Sequence, residues 1–173
     1  FLAFSTYSKN YEKIIVNGNE RISNETILVF SEIQDNKSLD ENSINEILKK
    51  LYKSGFFKDV IVKIENNNLI IDVLENPIIQ SVFIEGIKRK KTEESLYEIL
   101  SLKNRSSYNS VLIKKDEAAI LNFLKDVGYY FSNVTSSYQD LGGNKIDLFY
   151  QIDLGKKSKI SKISFIGDKK FKD

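Results

Sequence analysis

Apolar and polar residues alternate toward a glycine at three places in this chain: Ile14-Ile15-Val16-Asn17-Gly18, Val82-Phe83-Ile84-Glu85-Gly86 and Ile163-Ser164-Phe165-Ile166-Gly167. Each has a large apolar residue two and four positions before the glycine: Val16 and Ile14, Ile84 and Val82, Phe165 and Ile163. Period two places those side chains on one face of a strand, and the glycine ends the strand in a turn. A second glycine recurs downstream, in Leu51-Tyr52-Lys53-Ser54-Gly55-Phe56-Phe57 and in Phe123-Leu124-Lys125-Asp126-Val127-Gly128-Tyr129-Tyr130. Gly18 and Gly86 are 68 positions apart, and Gly86 and Gly167 are 81 apart. Solenoid repeats are shorter; this spacing suits small independent domains. The chain reads as an N-terminal segment (1–11), two complete modules (12–76 and 77–157) and the first strand of a third (158–173).

The first module reads strand, helix, helix, strand, strand. Its opening strand covers about residues 12–17. Ser23 or Asn24 can cap a helix that carries Ile27, Leu28 and Phe30. After the polar stretch Gln34-Asp35-Asn36-Lys37-Ser38, Asp40 caps a second helix. There Ile44, Ile47, Leu48, Leu51 and Tyr52 fall at helical spacing and define one apolar face. Gly55 stands where that helix must end with a positive φ. Val60, Val62 and Ile64 alternate, Asn66-Asn67-Asn68 turns the chain, and Leu69, Ile71 and Val73 alternate back, which predicts a hairpin.

The second module repeats the order. Thr92 is the expected cap of a helix through Leu96 and Leu100. A longer helix runs from Tyr108 to Asp126 with Ile113, Ile120, Phe123 and Leu124 apolar, and Gly128 ends it. A hairpin around Gly142-Gly143-Asn144 joins a strand near Val134-Thr135-Ser136-Ser137-Tyr138 to one in which Ile146, Leu148, Tyr150 and Ile152 alternate. The first of these two strands is polar and poor in large side chains, as suits an exposed edge. Pro77 is the one proline and falls between modules, where a locked φ and a missing N–H do least harm. So short a linker keeps the modules from swinging freely.

Composition narrows the chemistry. The chain has no Cys, His, Met or Trp, which removes disulfides, thiolate and imidazole metal sites, and every His-based triad. With no glycine-rich phosphate loop either, no enzymatic activity, metal or cofactor is expected. The absence of Cys permits an oxidising compartment without indicating one. The longest apolar runs, such as Leu69-Ile70-Ile71, are far short of a membrane helix. Net charge is +2, with nine basic against twelve acidic residues in 1–76, twelve against ten in 77–157 and five against two in 158–173. The one basic run, Lys88-Arg89-Lys90-Lys91, is expected as a solvated turn, and Glu93 and Glu94 weaken its field, so no nucleic-acid partner is expected. The carboxylate pairs Asp40/Glu41 and Asp116/Glu117 point in different directions on a helix and are expected to cap or face solvent. Tyr129-Tyr130-Phe131 is expected in the core and at a strand start rather than stacking on a ligand.

At these same residues the chain resembles the POTRA domains of the BamA-type outer-membrane assembly factors. Residues Leu51-Tyr52-Lys53-Ser54-Gly55-Phe56-Phe57-Lys58-Asp59-Val60 are similar to that family's helix-glycine-strand segment L-[FY]-x-[TS]-G-x-F-x-D-V. Val73-Leu74-Glu75-Asn76-Pro77-Ile78-Ile79 resembles its V-x-E-x-P-x-I junction. Ser164-Phe165-Ile166-Gly167-Asp168 resembles the opening of a third module, with Asp168 where Asn is commoner, and Gly128-Tyr129-Tyr130-Phe131-Ser132-Asn133-Val134 is a looser G-Y-x-x-x-x-V match.

The resemblance implies an α+β fold of tandem POTRA modules. Each is β-α-α-β-β, with a three-stranded mixed sheet covered on one face by two helices, and Gly18, Gly55, Pro77, Gly86, Gly128 and Gly167 are its structural positions. It implies the periplasmic part of a Gram-negative outer-membrane protein whose membrane barrel lies outside this chain. The implied role is non-enzymatic: receiving unfolded outer-membrane proteins, with periplasmic chaperones and assembly lipoproteins as further partners. A two-partner secretion transporter or a division protein is the alternative setting. An edge strand with unpaired N–H and C=O groups can accept an extended peptide. The candidate edges are Val60, Ile61, Val62, Lys63, Ile64 and Glu65 in module one, and Asn133, Val134, Thr135, Ser136, Ser137 and Tyr138 in module two.

Overall fold

Two small strands and a sheet-and-helix layer make up the first module. Its elements are β1 (Lys9–Asn10), β2 (Lys13–Asn17), α1 (Asn24–Ser31), β3 (Ser38–Leu39), α2 (Glu41–Lys53), β4 (Phe57–Glu65) and β5 (Asn68–Glu75). The second comprises β6 (Ile78–Glu85), α3 (Lys90–Ile99), α4 (Ser110–Asp126), β7 (Asn133–Gly142) and β8 (Lys145–Asp153). The computed structural model describes residues 8–33 and 38–157, with Lys162 and Ser164. Residues Gln34 to Lys37 and, apart from Lys162 and Ser164, the expected third-module strand, Gly167 included, lie outside the described residues.

Each module has its own mixed sheet, in the orders β2-β5-β4 and β6-β8-β7. The first strand runs parallel to the last, which forms the centre, and the hairpin partner is antiparallel. Caps fix the helix starts in module one: Ser23 Oγ accepts the Thr26 N–H at 3.3 Å and Asp40 Oδ1 accepts the Ser43 N–H at 2.8 Å. Asn66 and Asn67, both at positive φ, turn β4 into β5, and Gly143 with Asn144 does the same between β7 and β8.

The apolar faces close over two separate cores. Ile27, Leu51, Leu69 and Ile71 are fully buried in one; Ile79, Leu96, Ile120, Leu124, Leu148 and Tyr150 in the other. Two glycines bring each sheet against its own turn. A Cβ on Gly18 would collide with the Val73 carbonyl oxygen, and one on Gly86 with that of Ile152. Both also sit at positive φ (+80° and +90°), so two constraints coincide on the same residue. Those contacts set the equivalence of the modules: Val73 matches Ile152, Ile71 matches Tyr150 and Val62 matches Ser136.

Several expectations need correction. Thr92 is not a cap: α3 starts at Lys90, and the Thr92 N–H donates to the Arg89 carbonyl from inside the first turn. The basic run is therefore half helix, with Lys90 and Lys91 at an N-terminus whose dipole favours the Glu93 carboxylate instead. The longer helix begins at Ser110, and Asn109 caps it by accepting the Val111 and Leu112 N–H groups. Tyr52 lies at the margin of its apolar face, 46% exposed, because its hydroxyl reaches β4. Of the expected aromatic cluster, Tyr129 packs on the core, while Tyr130 and Phe131 are exposed in the turn before β7. The ribbon of β1 with β3, and Tyr11 buried beside it, extend module one into the N-terminal segment.

Candidate functional site

Each three-stranded sheet has two outer strands, and they differ in how many backbone groups remain open. On β6, Asn104 Oδ1 accepts the Val82 N–H at 2.9 Å. The Tyr97 hydroxyl accepts the Ile84 N–H at 3.3 Å and donates to the Val82 carbonyl at 3.0 Å. Side chains of module two therefore occupy this edge. On β4, the Tyr52 hydroxyl accepts the Val60 N–H at 3.2 Å and donates to Asp59 Oδ1 at 2.9 Å. The start of β4 is thus also closed, and Lys63 and Glu65 pair with each other further along at 3.1 Å. Outward donation by Val60 shows which residues aim their backbone groups away from the sheet: Val60, Val62 and Ile64, alternately.

The expected edge residues split by face. Val60, Val62 and Ile64 pack toward the helices, and Ile61, Lys63 and Glu65 lie on the open face. In β7, Val134, Ser136 and Tyr138 take the helix side, and Asn133, Thr135 and Ser137 the open side. Ser136 stands where module one has Val62, and the shortfall in volume leaves a groove of about 450 Å³ beside α4, lined by Ser110, Ile113, Lys114, Tyr138 and Leu148. Ser136 Oγ donates to Glu117 Oε1 at 2.6 Å, and Lys114 Nζ holds the other oxygen at 2.7 Å. Burial raises the Glu117 pKa, but these partners outweigh it and the net shift is downward. Among the described hydrogen bonds, the one from a side chain to the β7 backbone is at its far end, where Asp140 Oδ1 accepts the Gly142 N–H at 2.8 Å. From Asn133 to Leu141 no side chain closes the edge, and apart from buried Val134 and half-buried Ser136 the strand is exposed.

Glu75, the last residue of β5 before the linker, is 2% exposed and ties the end of module one's central strand to the turn after β2. Its Oε1 accepts the N–H groups of Glu20, Arg21 and Ile22 at 2.9, 2.9 and 3.0 Å, and Arg21 Nε lies 3.0 Å from Oε2. Burial pushes this carboxyl up, yet the three amides and the guanidinium prevail and hold it below the ordinary value. Arg21 Nη2 also donates to the Asn76 carbonyl at 2.7 Å. Asn76 in turn donates from its backbone N–H to the Phe56 carbonyl and from Nδ2 to that of Gly55. From the other side, the Tyr108 N–H donates to the Pro77 carbonyl at 2.8 Å and the Ile78 N–H to that of Asn144 at 2.9 Å. The linker is fastened to both modules.

Neither carboxylate pair converges on a common point. Asp40 is a cap. Asp116 is buried and accepts the Ser101 and Leu102 N–H groups at 2.7 and 3.0 Å and the Tyr150 hydroxyl at 3.0 Å. Burial first, and the Asp116 charge second, push the Tyr150 phenol up, so it stays a donor. The residues that sequence reasoning missed are the edge-closing Tyr52, Tyr97 and Asn104, and the anchor Glu75. Glu75 had a signal, an acidic residue ending an apolar strand beside Pro77, and Tyr52 stands in the L-[FY]-x-[TS]-G segment, though as part of an apolar face; Tyr97 and Asn104 are polar residues in a helix and a loop with none.

The family model described as "POTRA: Surface antigen variable number repeat" matches residues 10–76 and again 77–155. The chain is 26% identical over 164 residues to the outer membrane protein assembly factor BamA of Neisseria meningitidis, covering 94% of this chain and 21% of that protein. With BamA of Nitratidesulfovibrio vulgaris it is 24% identical over 163 residues, covering 91% and 20%. It spans about a fifth of the length of these relatives. Among solved structures, the N-terminal domain of Omp85 from Thermosynechococcus elongatus superimposes with a TM-score of 0.61 at 16% identity, covering 86% of this chain and 64% of that one. POTRA1-2 of the periplasmic domain of Omp85 from Anabaena gives 0.56 at 14% identity, covering 89% and 100%. These likenesses show the fold. With two consecutive matches that span most of its length, the chain belongs to the POTRA family.

Proposed function

We propose that this chain is a periplasmic, non-enzymatic binding unit of an outer-membrane assembly protein, and that it receives extended segments of unfolded outer-membrane proteins by strand addition. The observation that carries this reading is β7: a ten-residue outer strand along which, from Asn133 to Leu141, no described side chain closes a backbone group, Asp140 taking only the Gly142 N–H at the turn. An unpaired edge of that length is an aggregation liability unless it has a use. Backbone pairing tolerates varied sequence, as a receiver of many clients requires, and ordering the client keeps affinity weak. Of the two candidate edges, β7 is favoured over β4, whose first outward N–H is held by Tyr52. The names of the relatives, outer membrane protein assembly factors, support the setting.

By the register of the repeat, Ser136 matches Val62, so its N–H points outward. Ser136→Pro removes one edge donor while leaving the pairing with β8, as edge strands permit. Ser136→Ala removes only the hydroxyl bonded to Glu117. Binding of a barrel-strand peptide, followed by fluorescence anisotropy, should be lost in the proline variant and kept in the alanine variant. Equal binding by both variants refutes strand addition at β7.

A further inference from the structure

The two modules together form a cleft that neither has alone. Its volume is about 570 Å³, with Lys58 and Leu74 on the module-one side and Tyr108, Tyr138, Asp140 and Lys145 on the other. Leu74 is 52% and Tyr138 59% exposed, so large apolar surface faces water here although each module has a closed core of its own. The charges at the rim balance, Glu20 and Asp140 against Lys58 and Lys145, with Glu75 of the lining already paired to Arg21, so no net field selects a free ion. Tyr108 and Tyr138 meet edge to face, with centroids 5.6 Å apart and planes at 69°, presenting ring surface to the cleft.

The course of β7 says what can fill it. Val134, Ser136, Tyr138 and Asp140 are alternate residues on one side of the strand, and the last two line the cleft. The open backbone edge therefore leads from the groove beside α4 into the joint. A strand paired along β7 sends its own alternate side chains along the same path. We infer that the joint cleft is a side-chain subsite for one aromatic residue of the extended segment that pairs with β7. The inference rests on the strand-addition reading proposed above. Aromatic rings suit the site because they bury a large area with few rotatable bonds, and Tyr108 and Tyr138 offer the edge-to-face contacts that rings prefer. Because Leu74 belongs to module one, a client held this way touches both modules although its backbone pairs with only one.

The test uses the intact chain and short soluble peptides of alternating valine and threonine. Each carries a single phenylalanine, moved in steps of two, with alanine at that place in the control. Kd comes from anisotropy, and the pairing site from amide shifts. One phenylalanine position should bind about tenfold more tightly than its alanine control, the size expected for burying most of a ring. Leu74→Ser and, separately, Tyr138→Ser should remove that gain while the β7 amide shifts persist. Both side chains are more than half exposed, so neither change threatens a core. Peptides that shift β7 amides with no phenylalanine advantage, or with one that survives Leu74→Ser, overturn the cleft inference and leave strand pairing standing. No shift on β7 with any peptide overturns both.

Discussion

Replacing Glu75 should cost more than replacing the arginine it pairs with. Its carboxylate is buried and is the common acceptor of three consecutive amides, those of Glu20, Arg21 and Ile22. Glu75→Ala leaves three donors without their acceptor, and removing one member of such a buried network costs roughly 3–5 kcal/mol. A module of this size holds about that much stability in all. Arg21→Ala should cost less, about 1–2 kcal/mol: Glu75 Oε2 is buried and loses its charged partner, but Oε1 keeps its three amides and the 31% exposed arginine site admits water. Glu75→Gln keeps an acceptor but not the charge and should fall between. Urea unfolding followed by far-UV circular dichroism gives the ranking, and hydrogen exchange at the three amides gives the location. The sign of the pH dependence follows from the lowered pKa. The contribution is complete above the unfolded value of about 4.5 and is lost as pH falls through the lower folded value. The wild type should therefore lose stability below about pH 4.5 more steeply than Glu75→Gln. If Glu75→Ala costs no more than Arg21→Ala, or the three amides stay protected, Glu75 is not the anchor described here.

Other perturbations separate the modules. Leu51→Ala should cost about 2–5 kcal/mol and unfold module one, leaving the amides of module two protected, since the two cores share no residue. Gly86→Ala should destabilise module two by roughly 1–3 kcal/mol or more, because positive φ and a collision with the Ile152 carbonyl act together; thermal unfolding with per-module amide signals reads this. Tyr150→Phe takes one of three donors from buried Asp116 and should cost about 1–3 kcal/mol in the same assay.

What was legible in the sequence was set by local rules. Ser23, Asp40, Gly55, Gly128 and the two hairpin turns obey capping and φ constraints that a few neighbouring residues decide. The alternation of Leu69, Ile71 and Val73 and of Ile146, Leu148 and Tyr150 shows the central strands, because burial on the helix side leaves a period-two trace. The polar run in β7 reads as an edge for the same reason. What was illegible depends on long-range partners. Tyr52, Tyr97 and Asn104 close edges through side-chain oxygens whose targets are set by packing, and no periodicity records that. The start of α3 at Lys90 runs against its dipole and lacks a side-chain cap, so the favourable cap at Thr92 misleads. Exposure of Tyr130 and Phe131 reflects their place in a turn at the module's end, where composition alone suggests a core. The joint cleft needs both modules in place and has no trace in either.

Mapping the amides of the labelled chain during titration with a barrel-strand peptide tests most directly whether β7 is the edge that takes a client strand. The largest shifts should fall on β7 from Asn133 to Tyr138, with smaller ones on the facing turn of α4. Salt should change the Kd little, since that stretch carries no charge. Shifts confined to the helices or to β4, with β7 silent, contradict strand addition at β7.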